Sequence, residues 1–579
     1  MDAGYLLILI SFLLSIISSI TLYLSINRSS FSSISIYTVY AYFLTIFLSC
    51  MLLLYHFLER DFTYLYVYMN SDSRLPLIYT ISAFWAGKEG ALLLWALFVS
   101  LMNLFAVSNG DRLSRLSVSI SSFFFAFLTL LLLTTSNPFT RTQAFEGVGL
   151  NPLLRTIEMA IHPPLIFMSY SGFLIPFSMA IAGIYLGEKW TKKAYPYLLF
   201  SWISISAGIF VGALWAYKTL GWGGFWGWDP VENASFFPWL SSTALIHTVK
   251  REGRRTYLLT TLTFVLVVVA GYITRALPSD LSPHSFGVSS ESKAFLMLVF
   301  ILLAISVYFL FRIEGRKFEF GFNMEGLITL FIYLTVLLLF SILVGSCLTL
   351  FTNLKPDKNY YESLMIPYEA IVLVILGFCI SRLKIRRYTY YILPVIVFAA
   401  IQFLFGNLLL SIFSALFVFS AVNLRKPSHV IIIHLGIMLI FMGSIGVWKA
   451  SEKYTFTISE NQTITADGYE LRLIKIDSED RRDSFIIKFR FEVLKDRKHV
   501  GFVEPRVIEY KIWRMERIVS SVGILNTPLE DIYVSTGISK DGIQLEVHIN
   551  RLASLLWIGM ALTLIGSFYR FLRISMLNL

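Results

Sequence analysis

The feature that most constrains this chain is a succession of apolar stretches, each close to the length of a bilayer-spanning helix. They fall at 4–26, 37–58, 89–107, 117–135, 164–187, 196–220, 235–249, 256–275, 293–313, 325–350, 366–382, 388–403, 405–424, 428–448 and 551–571. With no water in the hydrocarbon, only a helix satisfies every backbone N–H and C=O within its own segment. The expected fold class is therefore an all-α polytopic membrane protein with about 15 transmembrane helices. Charged residues make up 15% of the chain, against about 25% in soluble domains, which excludes a water-soluble enzyme. A hydrophobic content of 56% excludes disorder. The three cysteines, Cys50, Cys347 and Cys379, all lie in apolar stretches and form no CxxC, so neither a zinc site nor a dithiol redox motif is available. The first stretch lacks a basic leading segment and reads as a retained helix, not a signal peptide.

A net charge of +11 raises nucleic acid as a partner, but the basic residues sit in short clusters between the spans. That pattern reads as membrane topology, with lipid as the neighbour and no nucleic acid. The clusters are Arg112/Arg115, Lys189/Lys192/Lys193, Lys250/Arg251/Arg254/Arg255, Arg312/Arg316/Lys317, Arg382/Lys384/Arg386/Arg387, Arg425/Lys426 and Arg570/Arg573. They fall on alternate loops and are expected in the cytoplasm. Loops 59–88, 136–163, 221–234 and 276–292 and the insert 449–550 then face outward. In that insert apolar and charged residues alternate at 454–459, 469–476, 485–493, 500–510 and 543–549, the period of half-buried strands. The expected organisation is a helical bundle over 1–448, a small extracytoplasmic β domain over 449–550 inserted before the last helix, and a final span with a cytoplasmic tail over 551–579. A plain soluble spacer is the alternative for the insert.

The densest unusual stretch is GWGGFWGWDPVENASFFPW at 221–239. Four glycines let the backbone turn and come close to a ligand, Asp229-Pro230 starts a turn, and Glu232 and Asn233 sit where the next helix begins. An interfacial aromatic belt needs only one or two Trp per helix end. Trp222, Trp226, Trp228 and Trp239 in one glycine-hinged loop fit a large planar apolar ligand better.

Eight histidines narrow the ligand class. An imidazole within a span is either a hydrogen-bonded packing residue or a functional group. His247 lies three residues before the Lys250 cluster and His434 eight residues after Lys426, on a span running the other way. At about 1.5 Å per residue both fall in the inner part of the bilayer, at depths from which two imidazoles can ligate one haem iron axially. His162 and His284 lie in outward loops, on either side of the tryptophan loop in sequence, and can form a second pair. His429 points about 140° away from His434 around its helix. His56, His499 and His548 have no evident partner.

Several stretches resemble one family. WGWDPVENASF at 226–236 is similar to the tryptophan-rich WWD signature of the haem-handling proteins of cytochrome c maturation. SAFWAGKEGALLLWAL at 82–97, NPF at 137–139, GVGLNPLLR at 147–155, HPPLIFMSYSGF at 162–173, ALIHT at 244–248, HLGIMLIFMG at 434–443, TPLEDIYVSTG at 527–537 and NRLASLLWIGMAL at 550–562 resemble its CcmF branch of haem lyase subunits. One stretch departs. RALPSDLSPHSF at 275–286 carries an extra residue and two prolines where the family has its second outer histidine, although His284 falls at the matching place.

The resemblance implies a haem lyase of the holocytochrome c synthase type, which acts with partner subunits to join haem to the CxxCH thiols of apocytochrome c by thioether bonds. It implies haem as substrate at an outer site, with His162 and His284 as iron ligands and Trp226, Trp228 and Asp229 in the catalytic set. Trp222, Gly223, Gly224, Phe225, Gly227, Pro230, Glu232, Asn233 and Trp239 would contribute to binding. It also implies a resident haem b on His247 and His434 that passes electrons to the outer iron. Arg275 can pair with a propionate, or act as a plain interfacial anchor. The chain has no flavin or nicotinamide motif, so electrons must arrive from outside, with quinol as one donor. Without a CxxC, a thiol-handling subunit must present reduced apocytochrome, and the family's other partner is a haem chaperone. The expected location is the cytoplasmic (inner) membrane with the active face extracytoplasmic. The main alternative is a haem transport or export subunit without ligation chemistry. A fused synthase fits the branch-specific stretches less well, and an ion-coupled transporter would need charge pairs within the spans.

Overall fold

A computed structural model describes all residues except Met1, 29–30, 250–252, 279–281, 283, 314–322, 353, 382–388, 422–427, 459–461, 513–517, 540–541 and 578–579. Many of the basic residues used for orientation lie outside the described residues, among them Lys250, Arg316, Lys384 and Arg425.

Among the described residues seventeen α-helices run in order: α1 (Ala3–Leu24), α2 (Ser32–Leu58), α3 (Leu65–Asn70), α4 (Leu77–Ser82), α5 (Lys88–Val107), α6 (Arg112–Thr134), α7 (Ile157–Leu186), α8 (Thr191–Thr219), α9 (Pro230–Ile246), α10 (Arg254–Ala276), α11 (Glu291–Leu310), α12 (Met324–Phe351), α13 (Lys358–Ser381), α14 (Thr389–Phe405), α15 (Leu408–Ala421), α16 (His429–Lys449) and α17 (Ala553–Leu577). Twelve are long and apolar enough to cross a membrane, and α14 and α15 contain shorter apolar helical stretches. With the 17-residue α9 they correspond one for one to the stretches read from the sequence. The short α3 and α4 fall in the region 59–88 expected to be loop.

The helices pack as lipid-embedded helices do. α1 buries Ser11, Ser15, Ser18 and Ser19 and exposes Leu6, Leu13, Ile17 and Ile20. In hydrocarbon, apolar side chains gain nothing by leaving lipid, so small and polar residues form the contacts. Ser19 Oγ donates to the Ser119 carbonyl at 2.8 Å, and Ser11 meets Thr45 at 2.7 Å. Such interhelical bonds contribute about 0.6 kcal/mol each. α16 and α17 approach backbone to backbone. A Cβ on Gly443 would lie 2.4 Å from the Leu556 nitrogen, and one on Gly436 would lie 2.7 Å from the Gly559 carbonyl oxygen.

Between α16 and α17 the described residues form ten strands: β1 (Glu452–Ile458), β2 (Thr463–Ala466), β3 (Tyr469–Asp480), β4 (Ser484–Lys495), β5 (Lys498–Val503), β6 (Arg506–Tyr510), β7 (Ile518–Ser521), β8 (Gly523–Asn526), β9 (Glu530–Ser539) and β10 (Gly542–Arg551). One sheet has the order β1-β10-β9-β8; the other has β2-β3-β4-β6-β7, with β5 also on β4. Leu545, Val547 and Ile549 of β10 pack with Leu471, Phe491 and Val493 in a core of their own, as period-two alternation requires. The single strand expected at 500–510 is two. Glu504-Pro505 interrupts it, since proline has no N–H to give the ladder.

Candidate functional site

The tryptophan loop ends in a capped helix. Asp229, N-cap of α9 with extended backbone, accepts from the amides of Val231 at 2.7 Å and Glu232 at 3.0 Å, with Pro230 at the first helical position. Glu232 reaches back to accept from the Gly227 amide at 2.8 Å. Between them Trp228 holds φ at +58°, a left-handed conformation that is strained for a bulky aromatic. Its ring stacks on Tyr361 at 5.1 Å and 3°. Its carbonyl accepts from Asn233 at 3.2 Å. Asn233 also meets Ser346 at 3.1 Å, so it braces the loop from behind.

Two cavities flank this loop. The sheet-side cavity, about 300 Å³, is lined by His162, His284, Arg275, Glu232, Phe225 and Trp226. The mid-bundle cavity, about 580 Å³, is lined by His247, His434, Trp228, Trp239, Phe225 and Trp226. Phe225 and Trp226 line both, together with Ile209 and Ala213 of α8, and so form the aromatic part of the partition between them. The aromatic residues are therefore distributed over two sites, not spread on one surface. Trp239 faces only the mid-bundle cavity, and Trp222 lines neither.

His162 and His284 face each other with ring centroids 6.3 Å apart. His162 sits near the start of α7, before Pro163. Without an N–H at Pro163, the Met159 carbonyl accepts from the Trp85 indole at 3.4 Å. His162 Nδ1 donates to the Gly208 carbonyl at 2.7 Å, and a Cβ on Gly212 would lie 2.8 Å from the imidazole. His284 Nδ1 faces Asp229 Oδ2 at 3.3 Å, and its ring meets Trp215 edge-on at 5.1 Å. Burial works against the charged imidazolium of His284, but the Asp229 carboxylate and Glu232 together hold its pKa above the ordinary histidine value. Burial also works against the Asp229 carboxylate, which His284 and the Glu232 amide hold below its usual range.

His247 and His434 face each other with centroids 6.4 Å apart. Their Nδ1 atoms donate to the carbonyls of Thr243 at 2.8 Å and Val430 at 2.7 Å. A carbonyl can only accept, so each of these Nδ1 atoms carries the proton, and the neutral ring then offers Nε2 as a lone pair. A carbonyl or carboxylate on the second nitrogen is the arrangement that orients metal-ligating histidines. Two imidazoles on one metal, with metal–nitrogen bonds of about 2 Å, place their ring centres roughly 6 Å apart. Both pairs fit an axially ligated iron.

Arg275 is 1% exposed. One guanidinium nitrogen donates to the Gly271 carbonyl at 3.1 Å and meets Thr274 Oγ1 at 3.0 Å. Its Nε and Nη2 have no hydrogen-bond partner among the described residues, and neither has Trp226 Nε1. Buried N–H donors left unpaired on the wall of a cavity fit an anionic, planar guest. His429 packs on Tyr569, away from His434. Sequence reasoning missed Tyr361 and Trp448, which stack on Trp228 and Phe225. It also missed Tyr217, Asp531 and Asn550, which hold the loop from the sheet side. TPLEDIYVSTG, which contains Asp531, and NRLASLLWIGMAL, which begins at Asn550, were the signals for that last group, and neither motif by itself names a contact.

The chain is similar in sequence to cytochrome c biogenesis proteins and in fold to one solved structure. Residues 85–281 match the family described as cytochrome C assembly protein. The cytochrome c-type biogenesis protein CcmF of Pseudomonas fluorescens is 36% identical over 354 residues, 56% of this chain and 53% of that one. This match spans about half that relative's length. The cytochrome c-type biogenesis protein NrfE of Haemophilus influenzae is 27% identical over 92% of both chains. The solved structure of a cytochrome c haem lyase CcmF, at 19% identity, superposes with a TM-score of 0.82 over 98% of both chains and so shares the fold. Signature stretches, matched relatives and a common fold agree in likening the chain to the CcmF and NrfE cytochrome c biogenesis proteins.

Proposed function

We propose that this protein is a haem lyase subunit that takes haem as substrate at the sheet-side site and promotes its attachment to the CxxCH thiols of apocytochrome c. The observation that carries this reading is the pair of opposed imidazoles on each side of the Trp226 wall. In each pair the rings stand about one metal's span apart.

In ligation, a thiol S–H adds across a haem vinyl group. The S–H bond and the vinyl π bond break, and C–S and C–H bonds form, with no net electron transfer. The protein's contribution is positioning, which can be a large catalytic term. His162 and His284 would grip the substrate iron, and one must yield to the CxxCH histidine. Asp229 fixes the ring of His284, and Arg275 supplies free N–H donors for a propionate. Trp226 walls the site and Trp228 braces it through Tyr361.

The mid-bundle residues fit a resident haem b. A bis-imidazole haem supplies one-electron transfer and has no open coordination position. His247 and His434 would hold it, and Phe225 and Trp226 would separate it from the substrate by one layer of aromatic rings. Quinol is the proposed reductant. The partners are apocytochrome c, a haem chaperone and a thiol-handling subunit. The proposed location is the cytoplasmic membrane, with residues 1–448 as the bundle, 449–550 as an extracytoplasmic domain beside the active face, and 551–579 as the last span and tail. A pyridine haemochrome spectrum of the purified protein, with haem counted per chain, tests this. Resident b-type haem is expected, with uptake of a second equivalent. A protein that stays colourless after haem is supplied refutes it.

A further inference from the structure

The sheet domain holds the tryptophan loop through a small buried polar cluster. Strand register places Asn526, Asp531 and Asn550 in one row across β8, β9 and β10. Asn526 donates to Asp531 Oδ1 at 2.8 Å. The Tyr217 hydroxyl, from the last turn of α8, donates to Asp531 Oδ2 at 3.0 Å and accepts from Asn550 Nδ2 at 3.0 Å. Asn550 Nδ2 also donates to the Gly223 carbonyl at 2.8 Å. Asp531, Asn550 and Tyr217 are all buried, and Asp531 makes no ion pair among the described residues.

The contact falls where the loop is most deformable. Gly221 and Gly223 both hold left-handed backbone, at φ +78° and +76°, so the loop can hinge on either side of Trp222. At Gly223 the backbone lies directly on β10, and a Cβ there would come 2.5 Å from the His548 ring. Two residues beyond are Phe225 and Trp226, the aromatic part of the partition between the cavities. The hairpin turn preceding Asp531 also ties down the start of α17. The Leu529 carbonyl accepts from the Leu552 amide at 2.6 Å and the Pro528 carbonyl from Ser554 Oγ at 2.7 Å. Apolar packing would join the two domains without the desolvation cost of a buried carboxylate. A fully satisfied polar cluster instead fixes one geometry.

We propose that Asp531, Asn550 and Tyr217 are positioning residues of the haem site, and that the TPLED segment serves to lock the hinge of the tryptophan loop onto the sheet domain. The proposal rests on the sheet-side haem reading above. It makes the sheet domain the anchor of the loop that walls the substrate site, so a partner that displaces β9 and β10 also moves Trp226.

The test is titration of free haem into the purified full-length protein with its resident haem in place, followed by absorbance. Asn550→Ala and Tyr217→Phe are each expected to weaken uptake of the second haem about tenfold, by loss of hydrogen bonds to the loop, while the resident haem spectrum stays unchanged. Asp531→Asn, which still accepts from Tyr217, is expected to remain within about threefold of wild type. Asn550→Ser, too short to reach Gly223, tests the same bond if the alanine variant fails to accumulate. Second-haem affinity within twofold of wild type in Asn550→Ala or Asn550→Ser overturns the proposal. So does equal loss of the resident haem, which marks a general folding role. A wild-type protein that takes up no haem beyond the resident one overturns the sheet-side reading itself, and this proposal with it.

Discussion

The imidazoles of His247, at the end of α9, and His434, in the second turn of α16, face each other across the mid-bundle cavity with ring centroids 6.4 Å apart. Each is pinned by a backbone carbonyl of its own helix. Neither can swing away without breaking that bond, which is the constraint that the proposed single iron needs.

Removing either ring should therefore empty that site. His247→Ala and His434→Ala are each expected to abolish the b-type absorbance of the purified protein, because one remaining axial imidazole leaves the iron with an open position. A wild-type haemochrome spectrum in either variant would rule out the assignment.

The sheet-side pair should behave differently. His162→Ala is expected to leave the resident spectrum intact and to stop cytochrome c formation in cells. Asp229→Asn keeps the size of the residue but removes the charge facing His284 Nδ1, and should weaken second-haem binding about 10- to 100-fold. Normal maturation in His162→Ala would reduce that residue to packing.

Arg275 makes a prediction that pairs a residue with a functional group on the ligand. With both propionates esterified, haem should bind the wild-type sheet-side site at least about tenfold more weakly, since a charge-assisted hydrogen bond is lost. In Arg275→Gln, haem and its dimethyl ester should bind alike. An equal penalty for the ester in both proteins would mean that the free guanidinium N–H groups serve no carboxylate.

Backbone contact between α16 and α17 sets where His434 stands. Gly443→Val would drive a branched side chain into the Leu556 backbone and should cost about 1–3 kcal/mol. A lowered thermal midpoint in detergent, together with weaker retention of resident haem, is the expected readout. An unchanged midpoint would show that the two helices separate freely.

Most of the architecture is legible in the linear chain, for local reasons. Hydrocarbon admits only self-satisfied helices, so each long apolar run declares itself, and every helix but the short α3 and α4 follows with little tertiary information. Alternation marks the strands where one face is buried, as in β10. It fails where the strands are short, as in β2, β7 and β8, where successive residues are all buried, as over 531–534 of β9, or where Pro505 divides a run. The candidate pairs were legible for different reasons: His247 and His434 by their similar depth within spans, His162 and His284 by their places in outward loops on either side of the tryptophan loop.

What the sequence determined by itself was thus the long apolar helices, part of the strand set, the inventory of histidines and tryptophans, and the likeness to a family. Tertiary structure alone decided which rings meet, that Trp226 stands between two cavities while Trp239 faces only one, that Arg275 keeps two donors unpaired, and that Asp531 reaches Tyr217. The physical reason is that each of these depends on the approach of separate elements. Ring-to-ring distance across a cavity is set by glycine-mediated contact between helices and by strand register. Periodicity and composition, which describe one segment at a time, do not contain it.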